Sequence, residues 1–152
     1  MEESRTIAEL DHLIAKCSNW EDKVGGGEDV YSSADFLTTV RQDLMDICSC
    51  LSRPDLAASH FTQKRVDRLS TFVDTFCDEK TTTSFVFFET PGSAYLNELR
   101  TASRLVSTKG AAFTEPMRRY LADLPYLLFR AAVRVARLQS SGGLTKYGLT
   151  QF

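Results

Sequence analysis

The sequence predicts an all-α fold, a five-helix bundle forming one domain over residues 1–139, followed by a tail over 140–152. Three observations predict it. Apolar residues recur at steps of three and four in five separate segments, the repeat of one buried helix face. Glycines, prolines and capping residues fall between those segments, where helices stop and start. The one stretch with strand-like composition, Lys80 to Pro91, has no evident partner strand.

The first helix should run from about Glu3 to Cys17, with Ile7, Leu10, Ile14 and Cys17 on one stripe. Gly25-Gly26-Gly27, within the acidic segment Glu21–Asp29, reads as a linker. A phosphate-binding loop would need glycines opening a helix with a lysine in place, and Lys23 precedes these. Ser32 or Ser33 can cap a second helix, whose stripe is Phe36, Val40, Leu44, Ile47 and Leu51 and which Pro54 ends. Thr62 is placed to cap a third, with Phe61 and Val66 positioned as a hydrophobic staple. Its buried face is expected at Val66, Leu69, Phe72 or Val73, and Phe76.

Lys80 to Pro91, with three threonines and Phe85-Val86-Phe87-Phe88, is expected as an ordered loop packed on helices. A fourth helix then spans about Ser93 to Ser107, turning Tyr95, Leu99, Ala102 and Val106 inward, and Lys109-Gly110 closes it. The last helix begins near Thr114, with Pro116 tolerated in its first turn. Met117, Leu121, Leu124, Leu128, Ala131, Val135 and Leu138 form a heptad-type seam. Pro125 interrupts that seam and should kink the helix, at about 3 kcal/mol in an unadapted site. Ser140-Ser-Gly-Gly ends it, leaving a mobile or partner-bound tail with Tyr147 and Phe152.

A chain of 152 residues, 43% hydrophobic and 25% charged, has the make-up of a globular domain with a proper core. Its net charge of -2 conceals an asymmetry. Residues 1–53 hold 5 Lys+Arg against 11 Asp+Glu, a net of -6, and residues 54–152 hold 13 against 9, a net of +4. No apolar run reaches membrane-spanning length, so no membrane is expected. The Met-Glu-Glu-Ser start lacks the basic and apolar regions of a signal peptide. Cys17, Cys48, Cys50 and Cys77 form no Cys-x-x-Cys pair, and no histidine stands near them at metal-ligand spacing. Free thiols in a reducing mitochondrial or cytoplasmic interior, and no metal, are expected. His12 and His60 lack a partnering acid or nucleophile in any readable motif and are read as structural or exposed.

Two sets of arginines stand out. Arg100 and Arg104, one turn apart, should share a helix face and together suit a phosphate or carboxylate, or else form a solvated basic face. Arg130, Arg134 and Arg137 follow at steps of four and three, with Arg118 and Arg119 one end earlier. Such a stripe can neutralise RNA phosphates or pair with an acidic protein surface. It can equally be a solvated face near a helix C-terminus, where cations are favoured.

The order of segments resembles the PduO-type ATP:cob(I)alamin adenosyltransferases over roughly Thr6 to Arg137. Thr6-Ile-Ala-Glu-Leu-Asp-His-Leu-Ile14 is similar to that family's Thr-Val-Asp-Glu-Leu-Asn-Ser-x-Ile. Arg41-Gln-Asp-Leu-Met-Asp-Ile47 is similar to its Gln-Asn-x-Leu-Phe-x-Leu. Phe61-Thr62, Val66-Asp67-Arg68-Leu69 and Phe72-Val73-Asp74 resemble its third helix. Thr83-Ser84-Phe85 with Pro91-Gly92 resembles its Ser-Phe-x-x-Pro-Gly-Gly, and Tyr95-Leu96-Asn97-Glu98-Leu99-Arg100 its Ala-Leu-His-x-Ala-Arg. Arg119-Tyr120-Leu121 with Leu127-Leu128-Phe129 resembles its Arg-Tyr-Leu-Asn-Arg-Leu-Ser-Asp-x-Leu-Phe.

The resemblance implies a five-helix bundle of the cobalamin adenosyltransferase type, associated as a homotrimer. It also implies transfer of the 5'-deoxyadenosyl group of ATP to reduced cobalt, with ATP, magnesium and cobalamin as ligands. By position, Arg100 and Arg104 would serve the nucleotide and Phe85 the corrinoid. Several polar positions depart from the family. Its Thr-Arg-x-Gly-Asp-x-Gly-Thr-Thr nucleotide loop would fall at or before the first residues. Ala8 stands where the first helix has an aspartate, which pairs with an arginine in the neighbouring subunit. Leu105-Val106-Ser107-Thr108 replaces Arg-Ala-Glu-Arg, Ala122 replaces asparagine, and Pro125-Tyr126 replaces Ser-Asp. The expectation is a catalytically eroded member, with no assigned catalytic residue and no cofactor. It would act with protein partners in a larger assembly, a ribonucleoprotein among the candidates. The alternative is a divergent active enzyme.

Overall fold

The apolar steps of three and four resolve into six helices in a computed structural model describing residues 2–18, 28–77, 88–110 and 112–139. They are α1 (Glu2–Lys16), α2 (Glu28–Ser52), α3 (Pro54–His60), α4 (Gln63–Phe76), α5 (Pro91–Arg104) and α6 (Glu115–Gln139). The described residues contain no strand, and the fold is all-α. None of these helices is long and apolar enough to cross a membrane. The glycine linker, most of the aromatic stretch including Phe85 and Phe87, and the tail lie outside the described residues.

Helix α6 is the spine. It packs along α5 and also against α4 and α2, while α1 closes on α2 and α5. The expected seam is buried from Met117 to Val135, and Tyr120, Leu127, Ala132, Val133 and Ala136 widen it. The width follows from α6 meeting neighbours on several sides, where a coiled-coil seam would meet one. Pro125 lies inside α6, which continues through it as a single helix.

Several boundaries differ from expectation. Helix α2 starts at Glu28, so Ser32 and Ser33 lie within it and do not cap it. Pro54 ends α2 and also opens the unforeseen α3, because proline's fixed φ suits a first helical position. Thr62 caps α4 in extended backbone without a side-chain hydrogen bond, and Phe61 and Val66 are both buried. Helix α5 begins two residues early. The Thr90 side chain accepts the Ser93 backbone N–H, and Gln139 Oε1 accepts the Gly92 N–H at 2.9 Å. It stops at Arg104, three residues short of the expected end, and its inward face is Leu96, Leu99 and Ser103.

One charged residue is wholly inside. Asp43 of α2 is 0% exposed, and both of its oxygens are used. Its Oδ1 accepts from Arg65 Nη1 at 2.8 Å and Arg68 Nη2 at 2.6 Å, and its Oδ2 from the Tyr120 hydroxyl at 2.8 Å. Arg65 also reaches Asp46 at 2.6 Å and lies over the Phe61 ring, which meets Tyr120 edge-on at 5.4 Å. Burial, followed by the Asp43 charge, pushes the Tyr120 hydroxyl well above its ordinary pKa. This network ties α2, α4 and α6 together. Asp43 and Tyr120 are fully buried at its centre, while Arg65 and Asp46 at its edge line a groove of about 270 Å³.

Candidate functional site

Arg100 and Arg104 meet in a groove of about 520 Å³ between the C-terminal half of α5 and the middle of α6. Ser103, buried between them, donates to the Arg100 carbonyl at 2.8 Å and lets α6 approach closely. The opposite wall is Leu121, Ala122, Pro125, Tyr126 and Phe129 of α6, with Val106 and Thr108 at the rim. The groove opens where Ala122 is small and where Pro125 has no N–H to give the Leu121 carbonyl. Phe88 holds Phe129 from behind, edge to face, with ring centroids 5.8 Å apart. Tyr126 is 56% exposed.

The electrostatics are one-sided. Among the described residues the lining holds two guanidiniums, three hydroxyl side chains and apolar groups, with no carboxylate, histidine or cysteine. Arg100 Nε donates to Asn97 Oδ1 at 2.8 Å. Asn97 therefore orients Arg100. Glu98 instead meets Lys16 of α1 at 2.6 Å. Arg104 is exposed in the last turn of α5, and among the described residues neither arginine forms an ion pair. Such a surface can hold an anion beside an apolar group.

The fit to the cofactors implied by the resemblance is partial. Two guanidiniums match phosphate oxygens. Among the described residues no carboxylate lines the groove to hold magnesium, and no cluster of three or more His, Cys, Asp or Glu side chains could hold a metal. Phe85, which the resemblance assigns to the corrinoid, lies outside the described residues.

The second arginine set sits differently. Arg130 turns towards α4, donating to Asp74 and to the Cys77 carbonyl. Arg134 and Arg137 are half-buried, and each has interactions of its own. Arg118 donates to the Thr108 and Gly110 carbonyls and pins the α5–α6 connection, while Arg119 pairs with Glu115 within α6.

A smaller groove of about 330 Å³ runs between α1 and α5 past Glu9, His12, Lys16 and Glu98. Leu105, 76% exposed, lines it and stands next to Arg104 and Val106 of the larger groove. All four cysteines are free thiols. Burial pushes Cys17 up to about 12 and Cys48 up to about 11, so neither is a nucleophile at neutral pH.

The sequence paired Arg100 with Arg104 but did not find their wall. Tyr126 read as part of a departed motif and Phe129 as part of a retained one, and only the docking of α6 on α5 brings them to the arginines. Protein-family models and curated proteins give no match to the chain.

Proposed function

We propose that this chain is a cobalamin adenosyltransferase-like helical bundle that has lost its catalytic groups and serves as an interaction subunit of a larger assembly. The observation that carries the reading is the groove at Arg100 and Arg104, which keeps both cations and has no carboxylate among the described residues of its lining. Arg100 is oriented by the neutral Asn97. Differential stabilisation of a transition state needs groups placed against developing charge and leaving groups. Ala122, Pro125 and Tyr126 occupy the wall where the family carries polar residues. Long α1, α2, α4, α5 and α6, with α3 as an added turn, support the five-helix reading of the bundle.

The test is direct. The purified chain is incubated with ATP, magnesium and chemically reduced cob(I)alamin, and adenosylcobalamin is followed by its absorbance. No turnover above the protein-free control is expected. Turnover would restore the divergent-enzyme alternative. Association as a homotrimer, implied by the same resemblance, is read by sedimentation.

Contact with RNA in a ribonucleoprotein is a finer form of this proposal, resting on Arg130, Arg134 and Arg137. Arg130 also clamps α4, so the probes are Arg134 and Arg137, each of which has interactions within the chain as well. Their replacement by glutamine should flatten the dependence of RNA affinity on salt, by about one unit of slope per lost phosphate contact.

A further inference from the structure

The α5–α6 groove combines two features that one occupant must satisfy together. Arg100 and Arg104 have no ion-pair partner among the described residues, and their Cβ atoms, one turn apart, are separated by about 5–6 Å. Beside them in the lining is Tyr126, a large apolar ring that is 56% exposed. Carboxylates at one-turn spacing on a second helix match the first feature, and an apolar side chain on the same face matches the second.

A nucleotide matches less well. Phosphates are favoured at helix N-termini, where free N–H groups point outward. The α5 N-terminus is occupied by the chain's own Thr90 and Gln139 side chains. The groove lies instead at the C-terminal half of α5, whose end carries partial negative charge. Singly charged carboxylates, each forked by a guanidinium and set beside apolar surface, meet less opposition there than a triphosphate.

We infer that this groove docks an acidic helical segment of a protein partner, with two carboxylates one turn apart on Arg100 and Arg104 and an apolar side chain over Tyr126. The inference rests on the interaction-subunit reading and names its partner chemistry.

The probe is a fluorescein-labelled synthetic helical peptide of alanine and leucine carrying two glutamates one turn apart. Its control has glutamine at both places, and binding to the full chain is read by fluorescence polarisation. The glutamate peptide should bind. The glutamine control, and the double variant Arg100→Gln/Arg104→Gln, should each bind roughly tenfold or more weakly, the loss expected for charge-assisted hydrogen bonds. Ala122→Trp, at an exposed position, should fill the groove and abolish binding with both arginines intact. Unchanged circular dichroism confirms that these variants fold.

Equal binding of both peptides, or of neither, overturns the inference. So does magnesium-ATP that binds more tightly than the peptide and displaces it, which assigns the groove to a nucleotide. An oligomer that dissociates on Arg104→Gln overturns it in favour of a second copy. Adenosylcobalamin formation is read separately. Turnover removes the interaction-subunit reading, whereas peptide failure without turnover removes only the docked segment.

Discussion

Tyr120 of α6 donates its hydroxyl to Asp43 of α2 at 2.8 Å, and both residues are fully buried. The bond joins positions 77 apart in the chain. A carboxylate this deep is tolerable only because two guanidiniums and the phenol use its lone pairs. Tyr120→Phe keeps the ring's packing but leaves Asp43 Oδ2 without its donor. We predict a loss of about 1–3 kcal/mol in urea unfolding. Asp43→Ala should cost more, about 3 kcal/mol, since it leaves Arg65 and Arg68 facing a vacated interior. An unchanged midpoint for Tyr120→Phe would mean that the hydroxyl is not part of the clamp.

That network marks where the sequence stopped being readable. Each helix with a three–four apolar stripe was legible, because helix periodicity is a local property. Phe36, Val40, Leu44, Ile47 and Leu51 are buried as read. Asp43 gave one signal, a charge set among core positions Val40, Leu44 and Ile47. Its partners, however, come from α4 and α6, and no spacing rule names them. Boundaries moved for a similar reason. Ser32 and Ser33 are competent caps, yet α2 continues through them to Glu28. Within the site, the Arg100–Arg104 pair was legible from its step of four. The wall of Ala122, Pro125, Tyr126 and Phe129 depends on how α6 lies against α5, which is a tertiary fact.

The buried thiols set an alkaline limit on stability. Burial raises Cys17 from its ordinary 9.0 to about 12 and Cys48 to about 11. Tyr95, whose hydroxyl donates to the Ser18 carbonyl at 3.1 Å, is raised to about 12, again chiefly by burial. Above pH 9 the unfolded chain releases these thiol protons while the folded chain retains them. The folded state then binds more protons than the unfolded state, so stability falls as pH rises. The contribution is whole below pH 9 and drains between about 9 and 12, at about 1.4 kcal/mol per pH unit for a fully retained proton. Urea midpoints measured from pH 8 to 11 should fall steadily. Cys17→Ala should flatten that fall, and an unaltered slope would remove Cys17 as its source.

Arg130 joins the middle of α6 to the end of α4 through Asp74 and the Cys77 carbonyl. Its side chain is only 15% exposed, whereas that of Asp74 is 63% exposed, so solvent weakens the ion pair more than the carbonyl bond. Arg130→Ala should destabilise the fold by about 1–3 kcal/mol, chiefly by removing a charged donor from the Cys77 carbonyl at the C-cap of α4. Asp74→Asn should cost less than about 1 kcal/mol. The reverse order would show that the charge, and not the cap, holds the two helices. The same measurement shows why Arg130 is left out of the RNA experiment, because a variant that unfolds says nothing about phosphate contacts.

Arg100 and Arg104 should separate under stability measurement in a way that structural arginines do not. Arg104 is exposed and has no ion pair among the described residues, so Arg104→Gln should shift unfolding by no more than about 0.5 kcal/mol. Arg100 is half-buried and hydrogen-bonded to Asn97, so Arg100→Gln should cost about 1 kcal/mol. Asn97→Ala should cost about as much as Arg100→Gln, and the two changes together should cost less than their sum because they break one bond. For anion binding the ranking should differ, with Arg104 mattering at least as much as Arg100. A guanidinium that contributes nothing to folding but is needed for binding is held in place for a partner. If Arg104→Gln instead destabilised the fold by 2 kcal/mol or more, well outside the range of ordinary surface changes, the groove would be a structural seam and not a docking site.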